Sequence, residues 1–210
     1  MSEFELYSFA ESGNAYKAAL MLTLCGADWE PRRVEFFKGE TRSEAYRSLN
    51  VMGEAPVLVH HRADGDFTLS QSGAILIYLA RHFGRFGHET EAEEFEILRW
   101  VLFDNHKLTS YTATERFMRH FQNKTDDPAA EFMLARAKSA WKVLETHLEG
   151  REWVAAGRPT IADFSLCGYL FWPGQIGMER SEYPNIDAWL GRLRALDGWA
   201  APERLMPSGL

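Results

Sequence analysis

The chain has 210 residues, 46% of them hydrophobic, which suits one large domain or two small ones with material for a core. Its net charge of −7 and the lack of a basic tract argue against a nucleic-acid partner. No apolar stretch is long enough to span a bilayer, and the acidic start MSEFELYSFAE has no basic n-region, so no membrane partner and a cytoplasmic location are expected.

The N-terminal part alternates strand and helix signals. EFELYSF reads as a strand, and a helix is expected from Asn14 to Cys25, with Gly26 where a C-cap belongs. PRRVEFF alternates apolar and polar residues as a strand does, and SEAYRSLN reads as a short helix. APVLVHH is a strand opening at a proline, and Asp64-Gly65 signals a hairpin to DFTLS. SQSGAILIYLARHF then reads as a helix, with Ser70 expected at its N-cap. The order is β-α-β-α-β-β-α, and the helical crossover favours a parallel first pair with an antiparallel edge added by the hairpin.

GRFGHETEAE, glycine-rich and then acidic, reads as a linker. Beyond it only helical patterns remain, at 91–120, 127–149, 160–171, 185–196 and 199–205. The expected division is an α/β domain over 1–83, a linker over 84–91 and an all-helical domain over 92–210. Within the helical part, Thr160 and Asp163 have capping-box spacing before an apolar run, which is a structural role. Cys25 and Cys167 are far apart and no CxxC exists, so both read as small core thiols, and neither a redox pair nor a thiolate metal site is indicated.

Three segments carry chemistry. Ser12-Gly13-Asn14 places a hydroxyl and an amide at a helix start, where unpaired amides and the helix dipole favour an anion or a thiolate. Neither GxxxxGK nor GxGxxG is present, which disfavours a phosphate site. Glu54-Ala55-Pro56 puts a proline at a strand start, a turn that exposes the preceding backbone for pairing with a peptide-like ligand. Gln71 and Ser72 lie in the first turn of another helix, where their side chains and free amides suit a carboxylate. Each segment alone is also readable as a helix cap or a strand-edge proline. Together they fall at the ends of elements in one small α/β domain, where ligands gather.

With GEAPVL, QSGAILIYLA and TIADFSL in this order, nearly the whole chain resembles a cytosolic glutathione transferase of bacterial, serine- or asparagine-type character with some beta-like features. The resemblance implies an α/β plus all-α fold: a thioredoxin-like N-terminal domain that binds glutathione, then a helical domain completing a pocket for a small hydrophobic electrophile. It also implies a homodimer, with glutathione as co-substrate and no metal. Carried over by position, Ser12 and Asn14 are the groups that meet the glutathione sulfur. Ala55 before Pro56 pairs with the cysteinyl part, Gln71 and Ser72 hold the γ-glutamyl carboxylate, and Lys38 meets the glycyl carboxylate. DNHKL resembles the histidine-lysine pair of beta-like members, pointing to His106 and Lys107, and Asn105 and Tyr111 join them as electrophile-pocket candidates.

Two positions depart from the family pattern. Glu54 stands where glutamine is usual; a carboxylate there either repels the glycyl end of glutathione or pairs with Lys38. Val51 stands where a proline is usual. Tyr7 is set aside as a catalytic tyrosine because it lies on a strand and the Ser-Gly-Asn turn is intact. The activity implied is glutathione conjugation. The alternatives are glutathione-dependent reduction of a disulfide or peroxide, and a non-catalytic transferase-like binding or regulatory module.

Overall fold

The computed structural model describes residues 2–210 and divides the chain into two units, one running to Arg85 and including Asp197–Leu210, the other Phe86–Leu196. In the first unit, strand β1 (Phe4–Ser8) leads through helix α1 (Gly13–Leu24) to strand β2 (Trp29–Arg33). The helical crossover makes this pair parallel, Phe4 opposite Trp29. β2 lies at a sheet edge and carries Pro31, which an edge strand tolerates. Strand β3 (Val57–Arg62) runs antiparallel to β1 with His60 opposite Phe4, and strand β4 (Gly65–Ser70) closes the hairpin. Gly65 takes φ +116° there, a conformation other residues rarely adopt. The sheet order is β2-β1-β3-β4. Helices α2 (Glu44–Leu49) and α3 (Ser72–Phe83) complete the expected β-α-β-α-β-β-α order.

α1 is buried nearly all round, from Ala15 through Leu22, as a helix covered on every side must be. Part of that cover is the C-terminal segment, which contains the short helix 202–205. Tyr16 Oη donates to the Ala200 carbonyl at 2.9 Å, and Ala10 N donates to Pro207 O at 2.9 Å. Glu11 accepts from Ser208 Oγ at 2.6 Å and from Gly209 N at 2.9 Å. A Cβ on Gly209 would stand 2.9 Å from that of Phe9, so the tail lies directly against the β1–α1 junction. The tail was expected to belong with the 92–210 helices. Its helical periodicity says that it packs on something and is silent on what.

The helical unit holds α4 (Glu91–Phe103), α5 (Thr109–Arg116), α6 (Pro128–His147), α7 (Ile161–Cys167), α8 (Pro173–Ile176) and α9 (Pro184–Arg194). The single helix expected over 91–120 is interrupted by π-helical turns at Asp104–Leu108 and Phe117–Phe121. The first turns Asp104 fully inward, where it accepts from Thr109 Oγ1 at 2.7 Å and Ser165 Oγ at 2.6 Å.

The capping box at α7 forms as its spacing predicts. Asp163 has no exposed surface and accepts from Thr160 N (2.9 Å), Thr160 Oγ1 (3.1 Å), Val154 N (3.0 Å) and Trp189 Nε1 (2.9 Å). Burial pushes its carboxyl up to about 6, against the downward pull of these donors. One side chain thus ties α7, α9 and the loop at Val154 together. Of the two thiols, Cys167 is buried as expected, whereas Cys25 is half-buried at the end of α1.

Candidate functional site

The β1–α1 junction is built around Ser12. It is the N-cap of α1, is 5% exposed, and its Oγ accepts from Ala15 N at 3.1 Å. That bond fixes the oxygen and leaves the hydroxyl proton without an acceptor among the described residues. Ahead of Ala15, the Gly13 and Asn14 amides open the helix with no intrahelical partner. A proton donor and free amides therefore share one buried corner, with the dipole of a 12-residue helix behind them.

The proline turn is held from below by α2. The Glu54 carbonyl accepts from Tyr46 Oη at 3.2 Å and Asn50 Nδ2 at 2.8 Å, and the Ala55–Pro56 peptide is cis. Gly53 takes φ +64°, and a Cβ there would meet Thr41 O at 2.9 Å, so the turn admits no larger residue. Neither the amide nor the carbonyl of Ala55 has a hydrogen-bond partner among the described residues. Beneath the turn, Phe9, Val34, Tyr46 and Val57 form a buried apolar cluster onto which Tyr7 packs. Tyr46 and Asn50, which hold the turn, escaped the sequence reading. Their spacing of four on a short helix is the available signal, and it only says that they share a face.

The start of α3 differs from expectation. Ser70 ends β4, and the N-cap is Gln71, at φ 69° and with no side-chain capping bond. Ser70 misses the cap because the β4 ladder extends through it, opposite Val57. Ile75 N is the first amide to find a backbone partner, on Gln71 O, so the amides of Ser72, Gly73 and Ala74 start the helix uncapped. Ser72 and Gly73 are buried. The turn of α3 also reaches the other two motifs. Ser72 Oγ donates to Asn14 Oδ1 at 3.3 Å, and Gln71 Nε2 donates to Glu54 Oε2 at 2.9 Å and to Met52 Sδ at 3.1 Å. Ser12, Asn14, Glu54, Ala55, Pro56, Gln71 and Ser72 thus converge within the first unit.

Of the two alternatives for Glu54, the pairing with Lys38 does not form. Glu54 faces Gln71, and Lys38 Nζ instead bonds Glu35 Oε1 at 2.9 Å with its side chain 66% exposed. Lys38 and Glu35 are three apart on one helical turn, so the local partner is the nearer one. In the helical unit, Asn105 Nδ2 is committed to Val101 O at 2.9 Å, and Tyr111 Oη accepts from Arg136 at 3.2 Å. His106 and Lys107 lie exposed on the π turn that carries Asp104 inward.

Two family models match the chain: the glutathione S-transferase N-terminal domain over residues 2–81 and the C-terminal domain over 127–192. A structure described as a possible glutathione S-transferase from Rhodopseudomonas palustris is 31% identical, with TM-score 0.86, over 96% of this chain and 90% of its own. A glutathione transferase from Burkholderia graminis, crystallised with two glutathione molecules per subunit, is 27% identical, with TM-score 0.83, over 97% of this chain and 87% of its own. The disulfide-bond oxidoreductase YfcG of Escherichia coli is 29% identical over 91% of this chain and 90% of its own length.

Proposed function

Because the chain belongs to the glutathione S-transferase family, we propose that it binds glutathione in its N-terminal unit and ionises the thiol for attack on a small electrophile. The observation that carries this reading is the Ser12 hydroxyl, buried at the N-cap of α1 with its oxygen held by Ala15 and its proton free. A sulfur placed there accepts that proton's hydrogen bond and faces a helix N-terminus. Both interactions favour the thiolate over the thiol.

The magnitudes are adequate. A free thiol with pKa about 8.5 is roughly 3% ionised at pH 7, and a lowering of one to two units raises that to about 25–75%. Each unit corresponds to about 1.4 kcal/mol. The other residues supply the ends of the tripeptide. The Ala55 amide and carbonyl pair with its cysteinyl backbone as an added strand would. The uncapped amides of α3, with Gln71 and Ser72, take the γ-glutamyl carboxylate. Asn14, bonded to Ser72, links the sulfur end to that carboxylate end. Lys38 reaches the glycyl carboxylate by leaving Glu35, an exchange of one exposed pair for another. Among the helical-unit candidates, His106 and Lys107 are exposed.

Binding calorimetry and an ultraviolet titration of the bound thiol against pH test the reading. The expected result is saturable binding with a thiol pKa one to two units below the free value, shifting back toward it in Ser12→Ala. No binding at millimolar glutathione, or a bound thiol that titrates as if free, overturns it.

Similarity to the disulfide-bond oxidoreductase supports a second reading, in which the same thiolate attacks a disulfide. With no CxxC in the chain, one glutathione would form the mixed disulfide and a second would resolve it, releasing glutathione disulfide and two reduced thiols. Turnover with an aryl halide against turnover with a mixed disulfide separates the two.

A further inference from the structure

At the opposite end of β1 from Ser12, three residues from three separate segments aim at one point. Glu3 directly precedes β1, His60 sits on β3 opposite Phe4, and His82 lies in the last turn of α3. Glu3 Oε1 is 3.4 Å from His60 Nε2 and 3.1 Å from His82 Nε2, and the three atoms lie within 4.8 Å of one another. Ligand atoms held about 2.0–2.1 Å from a tetrahedral zinc ion stand roughly 3.3 Å apart, so these separations are already those of a coordination edge.

From this geometry we infer that Glu3, His60 and His82 form a binding site for a divalent first-row transition metal, zinc foremost, which clips β1, β3 and α3 together. Two imidazoles and one carboxylate are a donor set suited to zinc. The remaining coordination position faces solvent, because Glu3 and His82 are 41% and 31% exposed. It would be filled by water.

The surroundings orient the ligands as such a site requires. His60 is 7% exposed, and its ring packs on Phe4 at 4.3 Å between centroids. Its Nδ1 stands 2.6 Å from Tyr78 Oη. When Tyr78 accepts the Nδ1–H, the Nε2 lone pair is left pointing at the shared centre. The Phe4 ring also meets His82 edge-on at 5.4 Å, which limits how that ring turns. A simpler arrangement, in which both Nε2–H groups merely donate to Glu3, uses the same distances and predicts no metal affinity.

The test uses the full-length untagged chain, stripped with a chelator and titrated with cobalt(II) as a spectroscopic probe and then with zinc. The expected result is one cobalt per chain, a visible ligand-field band that zinc abolishes, and a higher unfolding temperature on loading. Glu3→Gln and His82→Gln, both at partly exposed positions, should lose the band while retaining a native circular-dichroism spectrum. Tyr78→Phe should weaken binding about 10–100-fold. His61→Gln serves as a control, because His61 belongs to a separate set with Asp66 and Glu5 at 2.8 and 3.4 Å. No saturable band, or a band that survives Glu3→Gln and His82→Gln, overturns the inference. So does a band that His61→Gln removes.

Discussion

Two helix starts in this protein carry similar sequence signals and end up in opposite states. At α7, every early amide is matched inside the helical unit. Ile161 N bonds Phe86 O at 2.9 Å, Ala162 N bonds Thr160 Oγ1 at 3.3 Å, and Asp163 N bonds Thr160 O at 3.0 Å. At α3, Gln71 takes the N-cap place with no side-chain capping bond, and the amides of Ser72, Gly73 and Ala74 have no backbone partner among the described residues. α1 lies between the two, with one amide capped by Ser12 and a hydroxyl proton left over. A helix start whose donors are all satisfied holds the fold together. One whose donors face an open edge is able to hold an anion. Fold and site therefore differ in where the same kind of donor finds its acceptor.

The strongest way to break the comparison is Asp163→Ala. It strands Val154 N, Thr160 N and Trp189 Nε1 in a buried place, and about 3–5 kcal/mol of stability should be lost in denaturant unfolding. Glutathione affinity of the fraction that stays folded should be unchanged. Ser12→Ala should show the reverse weighting. Loss of one cap costs about 1 kcal/mol of stability. Loss of the sulfur's donor should lower kcat/KM for glutathione by roughly 30–100-fold, about 2–2.7 kcal/mol. Ser12→Thr should restore most of both. An equal stability loss in the two alanine variants, with turnover intact in Ser12→Ala, would erase the distinction between closed and open caps.

Smaller effects sharpen it. Gln71→Ala should leave unfolding unchanged within ~0.5 kcal/mol, because its side chain is exposed and, among the described residues, bonds only Glu54 and Met52. It should raise KM for glutathione about 5–10-fold with kcat unaltered, as expected for a group that binds the ligand end alone. Glu54→Gln should tighten glutathione binding by roughly 2–5-fold, since a carboxylate beside an anionic tripeptide repels it, and the gain should shrink at high salt. Tighter binding that ignores salt would place the cause in the Gln71 hydrogen bond instead.

The local chemistry was legible at this depth because it acts over a few residues. The Ser12 cap, the Asp64-Gly65 hairpin and the Thr160–Asp163 box each depend on spacings of one to three, and each forms. Ser70 is not the N-cap of α3 because strand pairing competes with capping, and the ladder claims that residue. Glu54 found Gln71 rather than Lys38 because Lys38 has a nearer acceptor in Glu35. The π turns at Asp104 and Phe117 were invisible, since one extra residue in a helical turn leaves the apolar period nearly intact.

From the sequence alone came the alternation of strands and helices, the helical second half, and the helix and strand ends where the candidate ligand-holding groups cluster. Those follow from periodicity and from residues that bond their near neighbours. Tertiary structure alone decided which distant groups meet: Asn14 with Ser72, the C-terminal tail with Glu11 and Tyr16, and Glu3 with His60 and His82. A contact between residues tens of positions apart leaves no trace in local spacing. It exists only once the sheet register and the packing of α1 and α3 have brought the segments together.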